Sequence, residues 1–461
     1  VRALFHLPYP GYLRLYGSTV SELAKRGNEV LLAYDSEKQR SPAAEEVEQG
    51  PGVTIVDPIP RRKGSLADLV SRLRIGADYM RYLDPRFERS PWLRERMERY
   101  LPDDIAFLTE AEGLDKAQAE TLMEYLRALE GSIPTDPAID ERLKAIAPDC
   151  IVVSPVLARG RSGVHQRDSV KSARALGIPV AVAVASWDHL TSKGVIGELP
   201  DALYVWNNAQ KAEALKLHGV PKERIVVTGA QLFDQWFERE PTVRREEFLG
   251  SLGLDPARVC LLYVGSSPNI TPVEREREAV REWIGDLRRA GPTELSGASV
   301  LVRPHPGNVA GWADVDFSDL GQVAISPRER PDIVMSDEEE LHYFHSLHFS
   351  GAVVGINTSA MIEAAIVGRA VHTIPTHAFD DTREGTLHFH MLTPKEGGCL
   401  RIATDLDEHF AQLEEAITEP AAVQAELSAF VHSFVRPNGL DRPSTRVLAK
   451  AIERLPRTAP A

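Results

Sequence analysis

The sequence predicts an α/β protein made of two doubly wound parallel sheets, and three observations lead there. Short apolar runs recur along most of the 461 residues, each followed by a polar or glycine-containing turn and then a helical pattern. That alternation is the mark of βαβ units, whose parallel strands are buried on both faces and so read as continuous apolar runs. The pattern also starts twice, at Val1 and again at Arg258, either side of a charged stretch at 238–255 that Gly253 and Pro256 interrupt. The length suits two or three domains. The expected division is 1–245 with a helical insertion at about 60–145, then 246–430, then a helical tail at 431–461.

Composition narrows the class. Hydrophobic content of 43% and charged content of 26% are those of a soluble protein. A net charge of −14 argues against nucleic acid as the partner. Cys150, Cys260 and Cys399 are far apart and odd in number, which fits neither a disulfide framework nor a zinc site. No apolar run approaches the roughly 20 residues of a membrane span, and the chain opens on an apolar strand with no leader pattern. A cytoplasmic protein is therefore expected.

Val1–Leu7 reads as a strand, 8–18 as a Gly-, Pro- and Tyr-rich loop, Thr19–Arg26 as a helix stopped by Gly27, and Glu29–Tyr34 as the next strand. His6, inside the first strand, reads as a packed residue. Arg61 to Arg99 reverses the charge of the chain, with eleven basic residues against six acidic ones, a net +5, and Tyr79, Tyr82, Phe87, Trp92 and Tyr100 between them. Such a segment reads either as a solvated helical insertion with i,i+4 pairs or as a face for an anionic acceptor or a membrane surface, so that peripheral membrane contact through 61–100 is one expectation. The parallel pattern resumes at Cys150–Ser154. Arg159, Arg161 and His165 follow in a loop, then a helix at Asp168–Leu176 and a buried strand that feeds Ser186–Gly194.

Ligands bind beyond the carboxyl ends of parallel strands, so Ser186–Gly194 is where chemistry is expected in the first half. Asp188 suits a general base on an acceptor hydroxyl, with His189 as its partner or competitor, and Lys193 suits phosphate. The structural alternative is that Asp188 caps Thr191 or a neighbouring N–H.

In the second half, Arg258–Val264 is a strand ending in Gly265, Ser266 and Ser267, a turn able to cradle phosphate. Val273–Arg289 is a long helix. Ser299–Arg303 ends in a Pro-bracketed turn where Arg303 offers a fork and His305 a single donor. His342, His345 and His348 recur at i,i+3, a spacing that fits ordinary helix-surface histidines, and a metal would need further ligands. Gly351–Thr376 reads strand, polar turn, helix, Gly, strand. Asn357, Thr358 and Ser359 lie where free helix N–H groups attract anions, and Glu363, one turn on, suits a diol such as ribose. His388 and His390 fall in an alternating run and read as structural. The tail from Asp405 reads as two or three amphipathic helices.

These motifs resemble the GT-B glycosyltransferases. Gly351–Thr376 is similar to their donor-nucleotide motif, in which the helix start holds phosphates and the helix glutamate holds ribose. The resemblance further implies a donor-sugar contact at Asp380 or Asp381. Trp187, Asp188, Lys193 and Gly194 resemble the Trp-His-Gly…Lys loop of CDP-glycerol glycerophosphotransferases, with Asp188 in the place of the catalytic histidine. Arg303 and His305 resemble the His-Pro element that contacts donor phosphate in CDP-glycerol and CMP-sugar transferases. The first 40 residues resemble the opening of an acceptor domain but lack its Gly-x-His loop, since Tyr12 and Leu13 follow Gly11.

The resemblance implies a GT-B fold of two Rossmann-like domains facing across a cleft. It implies a nucleotide-sugar or CDP-activated donor, a glycan or lipid-linked acceptor, and no cofactor or metal. The expected activity is transfer of a sugar to a hydroxyl in cell-surface glycan synthesis. Alternatives are transfer of glycerol or polyol phosphate from CDP, a sugar-nucleotide 2-epimerase, or a non-catalytic nucleotide-sugar binder.

Overall fold

The computed structural model describes residues 1–36, 40–154, 161–329, 335–383 and 385–458, the side chains of 111–113, 161–165 and 458 excepted. Arg159 lies outside the described residues, as do the side chains of Arg161 and His165. The chain divides into two compact units, Val1–Asp234 with Ser433–Ala461, and Gln235–His432.

The first unit holds seven strands: β1 (Arg2–Leu7), β2 (Glu29–Tyr34), β3 (Val53–Ile55), β4 (Cys150–Val153), β5 (Val180–Ala183), β6 (Ala202–Val205) and β7 (Ile225–Val227). They form one parallel sheet in the order β3-β2-β1-β4-β5-β6-β7. Its strands are apolar on both faces, and each face has its own core. Phe5, Val152, Ala181 and Tyr204 face one side with Leu13, Tyr16 and Val20; Leu4, Ile151, Val182 and Leu203 face the other with Ile139, Leu143 and Val170.

The first helix runs over Leu13–Lys25, six residues earlier than the sequence predicts. Gly17 lies in the stretch read from sequence as a loop, but an added Cβ there would lie 3.0 Å from Val47 Cγ2, so this glycine lets the neighbouring helix Pro42–Glu48 pack close. Leu13, Tyr16, Val20 and Leu23 then form one buried stripe at helical spacing.

Ser444–Thr458 is a helix of the same unit, packed by Leu448, Ala449, Ile452 and Leu455 against that core. Asp234 accepts from the backbone N–H groups of Ser444 (3.1 Å) and Thr445 (2.7 Å) at its start and from Arg436 Nε (2.9 Å). These N–H groups are among those a helix start leaves unpaired.

The basic stretch lies on helices Ser65–Met80 and Pro91–Glu98. Arg62, Arg74, Arg81 and Arg96 turn inward, while Arg61, Lys63, Arg86, Arg89 and Arg99 are exposed. Among the described residues no helix is long and apolar enough to cross a membrane.

The second unit holds β8 (Cys260–Val264), β9 (Ser299–Arg303), β10 (Val323–Ile325), β11 (Ala352–Gly355), β12 (Ala370–Thr373) and β13 (Leu400–Arg401), in the parallel order β10-β9-β8-β11-β12-β13. Counted within this unit the order is 3-2-1-4-5-6, that of a Rossmann sheet, and it reverses between β8 and β11. Its core joins Leu261, Tyr263, Val300 and Val354 to Trp283, Leu287, Trp312 and Phe410. The alternating run at His388 is a 3₁₀ turn, His388–Leu392, rather than a strand. Gly398 presses against it, and a Cβ there would fall 1.9 Å from the Leu392 carbonyl carbon, so the backbone doubles back with no room to extend.

Candidate nucleotide and catalytic sites

In the second unit three turns meet at the carboxyl ends of β8, β9 and β11. The first two approach most closely through their backbones. Gly265 N donates to Arg303 O (2.9 Å), and an added Cβ at Gly265 would lie 2.7 Å from His305 N. Gly265→Ala is expected to push these turns apart and to weaken at least tenfold the nucleotide binding that the sequence predicts for them, with little change in the sheet, read by titration calorimetry; unchanged affinity would show that the contact is incidental.

Ser266, fully buried, ties the third turn in. Its carbonyl accepts from Asn308 Nδ2 (2.9 Å), and its hydroxyl accepts from Asn357 N (3.4 Å). Asn357 Nδ2 in turn donates to Thr382 O (2.6 Å). Ser266 and Asn357 are thus buried where the three turns meet. Ser267 and Thr358 are half-buried and Ser359 is exposed. Thr358 and Ser359 start the helix Ala360–Ile366, which carries Glu363.

Arg303 is buried, with its guanidinium 4.8 Å from the centre of the Tyr343 ring. Its Nη1 donates to His342 Nδ1 (2.9 Å) and to Ser346 Oγ (3.2 Å). Tyr343 OH donates to Glu363 Oε2. One helix, Asp337–His348, therefore orients both the cation at the end of β9 and the carboxylate predicted to hold ribose. Burial, with Arg303 and His345 adding to it, pulls His342 down to about 4, so this imidazole is a neutral acceptor. Burial and Glu363 hold the Tyr343 phenol well above its ordinary value, so it remains a donor. His305 Nδ1 accepts from Gly307 N (3.0 Å), which assigns its proton to Nε2 as a single donor.

The three histidines differ from a surface stripe. His342 serves Arg303, and His345 Nε2 accepts from Thr242 N (3.2 Å). Among the described residues no group of three or more His, Cys, Asp or Glu side chains is placed to hold a metal ion. Asp380, predicted to meet the donor sugar, binds His377 Nδ1 (2.9 Å) and Arg383 Nη2 (3.3 Å). Arg383, buried, also donates to Ile374 O and Thr376 O at 2.8 Å each, so it pins the loop after β12. Asp381 is half-buried beside it.

Glu276 is the residue that sequence reasoning missed. It is fully buried beneath the Ser266 turn, where Oε1 accepts from Ser266 N (2.7 Å) and Tyr263 OH (3.0 Å). One glutamate among several in a charged helix looks solvated. Its phase gives it away: Glu276, Val280, Trp283, Ile284 and Leu287 share the buried face of Val273–Ala290.

Burial pushes the Glu276 carboxyl up to about 7, from 4.5. Between those values the unfolded chain has released a proton that the folded one keeps, so stability falls as pH rises through this window, by on the order of 3 kcal/mol. Gln keeps the accepting oxygen and does not titrate. Glu276→Gln is expected to gain stability over the parent by about that amount between pH 4.5 and 7.5, measured by urea unfolding; a pH-independent difference would refute the assignment.

In the first unit Ser186–Gly194 follows β5. Asp188 does not cap the short helix His189–Ser192 through its side chain. Its carboxylate instead receives Ser186 Oγ (2.6 Å), Ser192 Oγ (2.6 Å) and Lys193 Nζ (3.3 Å). The lysine predicted for phosphate thus stands against the candidate base, and His189 is buried next to it. Glu213 joins this cluster. Burial pushes its carboxyl up to about 8, with Arg81 pulling it back and Asp188 adding to the rise. At the reversal between β1 and β4, His6 Nε2 bonds Asp35 Oδ1 (2.7 Å), which also places Gln166 Nε2 3.1 Å from Asp35 Oδ2.

No protein-family model matches the chain, and no curated protein does. Solved structures match along nearly all of it. A UDP-GlcNAc 2-epimerase from Neisseria meningitidis bound to UDP-GlcNAc is 11% identical, covers 98% of this chain and 100% of its own, and has a TM-score of 0.53. The UDP-GlcNAc 2-epimerase of Methanocaldococcus jannaschii is 13% identical, with 98% and 99% covered and a TM-score of 0.51. A glycosyltransferase from Rickettsia africae is 10% identical, with 98% of each chain covered and a TM-score of 0.53. At these identities the likeness shows the fold: two parallel Rossmann-like sheets of the GT-B type.

Proposed function

We propose that the chain is a nucleotide-sugar-dependent glycosyltransferase whose second unit binds the donor. The observation that carries this is the meeting of the Gly265, Arg303 and Asn357 turns at the sheet reversal, with Arg303 and Glu363 oriented by one helix. Arg303, His305 Nε2–H and the turn N–H groups take the diphosphate, and Glu363 takes the ribose hydroxyls. Asp380 or Asp381 meets the sugar. Asp188 accepts the proton of an acceptor hydroxyl as its oxygen bonds to the anomeric carbon, and the bond from that carbon to phosphate breaks with its electron pair leaving on the nucleotide. Fixed donors stabilise that leaving charge.

A panel of UDP, CDP, CMP, GDP and dTDP tests the donor half by thermal shift, since a ligand of the folded state raises the melting point by mass action. One nucleotide is expected to bind, and to lose most of its shift in Arg303→Met and Glu363→Ala. A full shift in both variants would refute the site.

The epimerase reading draws support from the 2-epimerases that match 98% of the chain. The Trp187–Lys193 loop supports a CDP-activated glycerol phosphate donor. NMR of the protein with UDP-GlcNAc, other nucleotide sugars or CDP-glycerol separates them. A transferase releases nucleotide, slowly to water or faster to an acceptor. An epimerase gives an inverted nucleotide sugar and releases none, and that product would overturn the transferase reading.

A further inference from the structure

The helical insertion holds the backbone of the loop that carries Asp188. Arg81 Nη1 donates to Lys193 O (2.8 Å) and Gly194 O (3.0 Å), and its Nη2 donates to Leu190 O. Arg96 Nη2 donates to Ser192 O (2.5 Å) and Tyr82 OH to Lys193 O (2.7 Å). Asp78 Oδ1 accepts from Val195 N (2.8 Å), and Arg127 Nη2 donates to Ile196 O (3.1 Å). Backbone groups from Leu190 to Ile196 are thus gripped by side chains about 70–120 residues earlier in the chain.

The grip falls on the residues that matter to Asp188. A four-residue helix cannot hold itself, and its last carbonyls have no partners within it. Ser192 and Lys193 donate to the Asp188 carboxylate through their side chains, and their own carbonyls are the ones that Arg96, Arg81 and Tyr82 hold. Arg81 reaches these three carbonyls from two separate nitrogens in a fixed plane, and lysine has one nitrogen, so lysine is no substitute for it.

We infer that Arg81, seconded by Tyr82 and Arg96, is a positioning residue that fixes the Ser192–Lys193 donors on Asp188, making the insertion part of the catalytic apparatus. This rests on the assignment of Asp188 as the base.

The test compares Arg81→Lys with the parent in the full chain, using amide hydrogen exchange over 189–196 and nucleotide release from the donor that the panel selects, with water as acceptor. Exchange in that segment is expected to quicken at least tenfold. Nucleotide release is expected to fall about 100-fold in kcat, since a shift near 1 Å at a reacting group has that effect, with KM for the donor unchanged. Added guanidinium ion is expected to restore several-fold of the loss in Arg81→Ala, which a general loss of folding would not permit.

Unchanged exchange, or a kcat within twofold of the parent, overturns the inference. Lost turnover in Asp188→Ala beside a normal kcat in Arg81→Lys overturns it alone; retained turnover in Asp188→Ala overturns the base assignment and this inference with it. Should Arg81→Lys not fold, Tyr82→Phe removes the Lys193 bond and keeps the ring, and there an unchanged kcat and exchange rate overturn the inference.

Discussion

Asp188→Ala is expected to lower turnover by about 10³-fold and to leave nucleotide affinity as it was, general bases being worth about 10²–10⁴. The size follows from the position. The carboxylate sits just past the carboxyl end of β5 with two hydroxyls and an ammonium upon it, so its orientation is fixed before any substrate arrives. Alanine removes the proposed proton acceptor together with its contacts to Lys193 and both hydroxyls. The groups proposed to bind the nucleotide, Arg303, His305 and Glu363, belong to the other unit and keep their own partners. Asp188→Asn keeps the shape and one of the two accepting oxygens and should lose nearly as much. The check is kcat from nucleotide release beside calorimetric nucleotide affinity. If Asp188→Ala turns over within tenfold of the parent, the base is another group, with His189 first to try.

The second half was more legible in sequence than the first, and the reason is physical. β8, β9 and β11 are short apolar runs, and the turns after them carry their chemistry within a few residues of the strand end, so local order placed Ser266, Arg303 and Asn357 together. The contacts that orient them come from farther away. Tyr343 under Arg303 and Glu363 looked like one more aromatic in a helix, and Glu276 like one more surface glutamate. The insertion is the extreme case. An arginine aimed at water and one aimed at the carbonyls of Leu190 and Lys193 leave the same pattern, because the partner is over 100 residues away.

The Asp78–Arg167 pair should show the largest stability effect. Both side chains are almost fully buried, and Arg167 Nη2 meets Asp78 Oδ1 at 3.0 Å and Oδ2 at 2.8 Å. Asp78 also takes the Val195 N–H (2.8 Å), and Gly194 has no room for a side chain, since a Cβ would lie 2.5 Å from Asp78 Oδ2. Asp78→Ala leaves a buried cation without this counter-charge and a buried N–H without its acceptor. The expected loss is about 3–5 kcal/mol in urea unfolding of the first unit, the range for breaking a buried pair from one side. An exposed pair such as Arg258–Asp255 should lose far less by comparison.

Asp78→Asn keeps the acceptor for Val195 and should fall between. Adding Arg167→Met to Asp78→Ala removes the stranded charge, so the double variant should be less destabilised than the sum of the two single ones. Additive losses would mean that Arg167 draws its stability from other partners and that Asp78 matters only through Val195. In that case Asp78→Asn would sit close to the parent, which the same unfolding curves report directly.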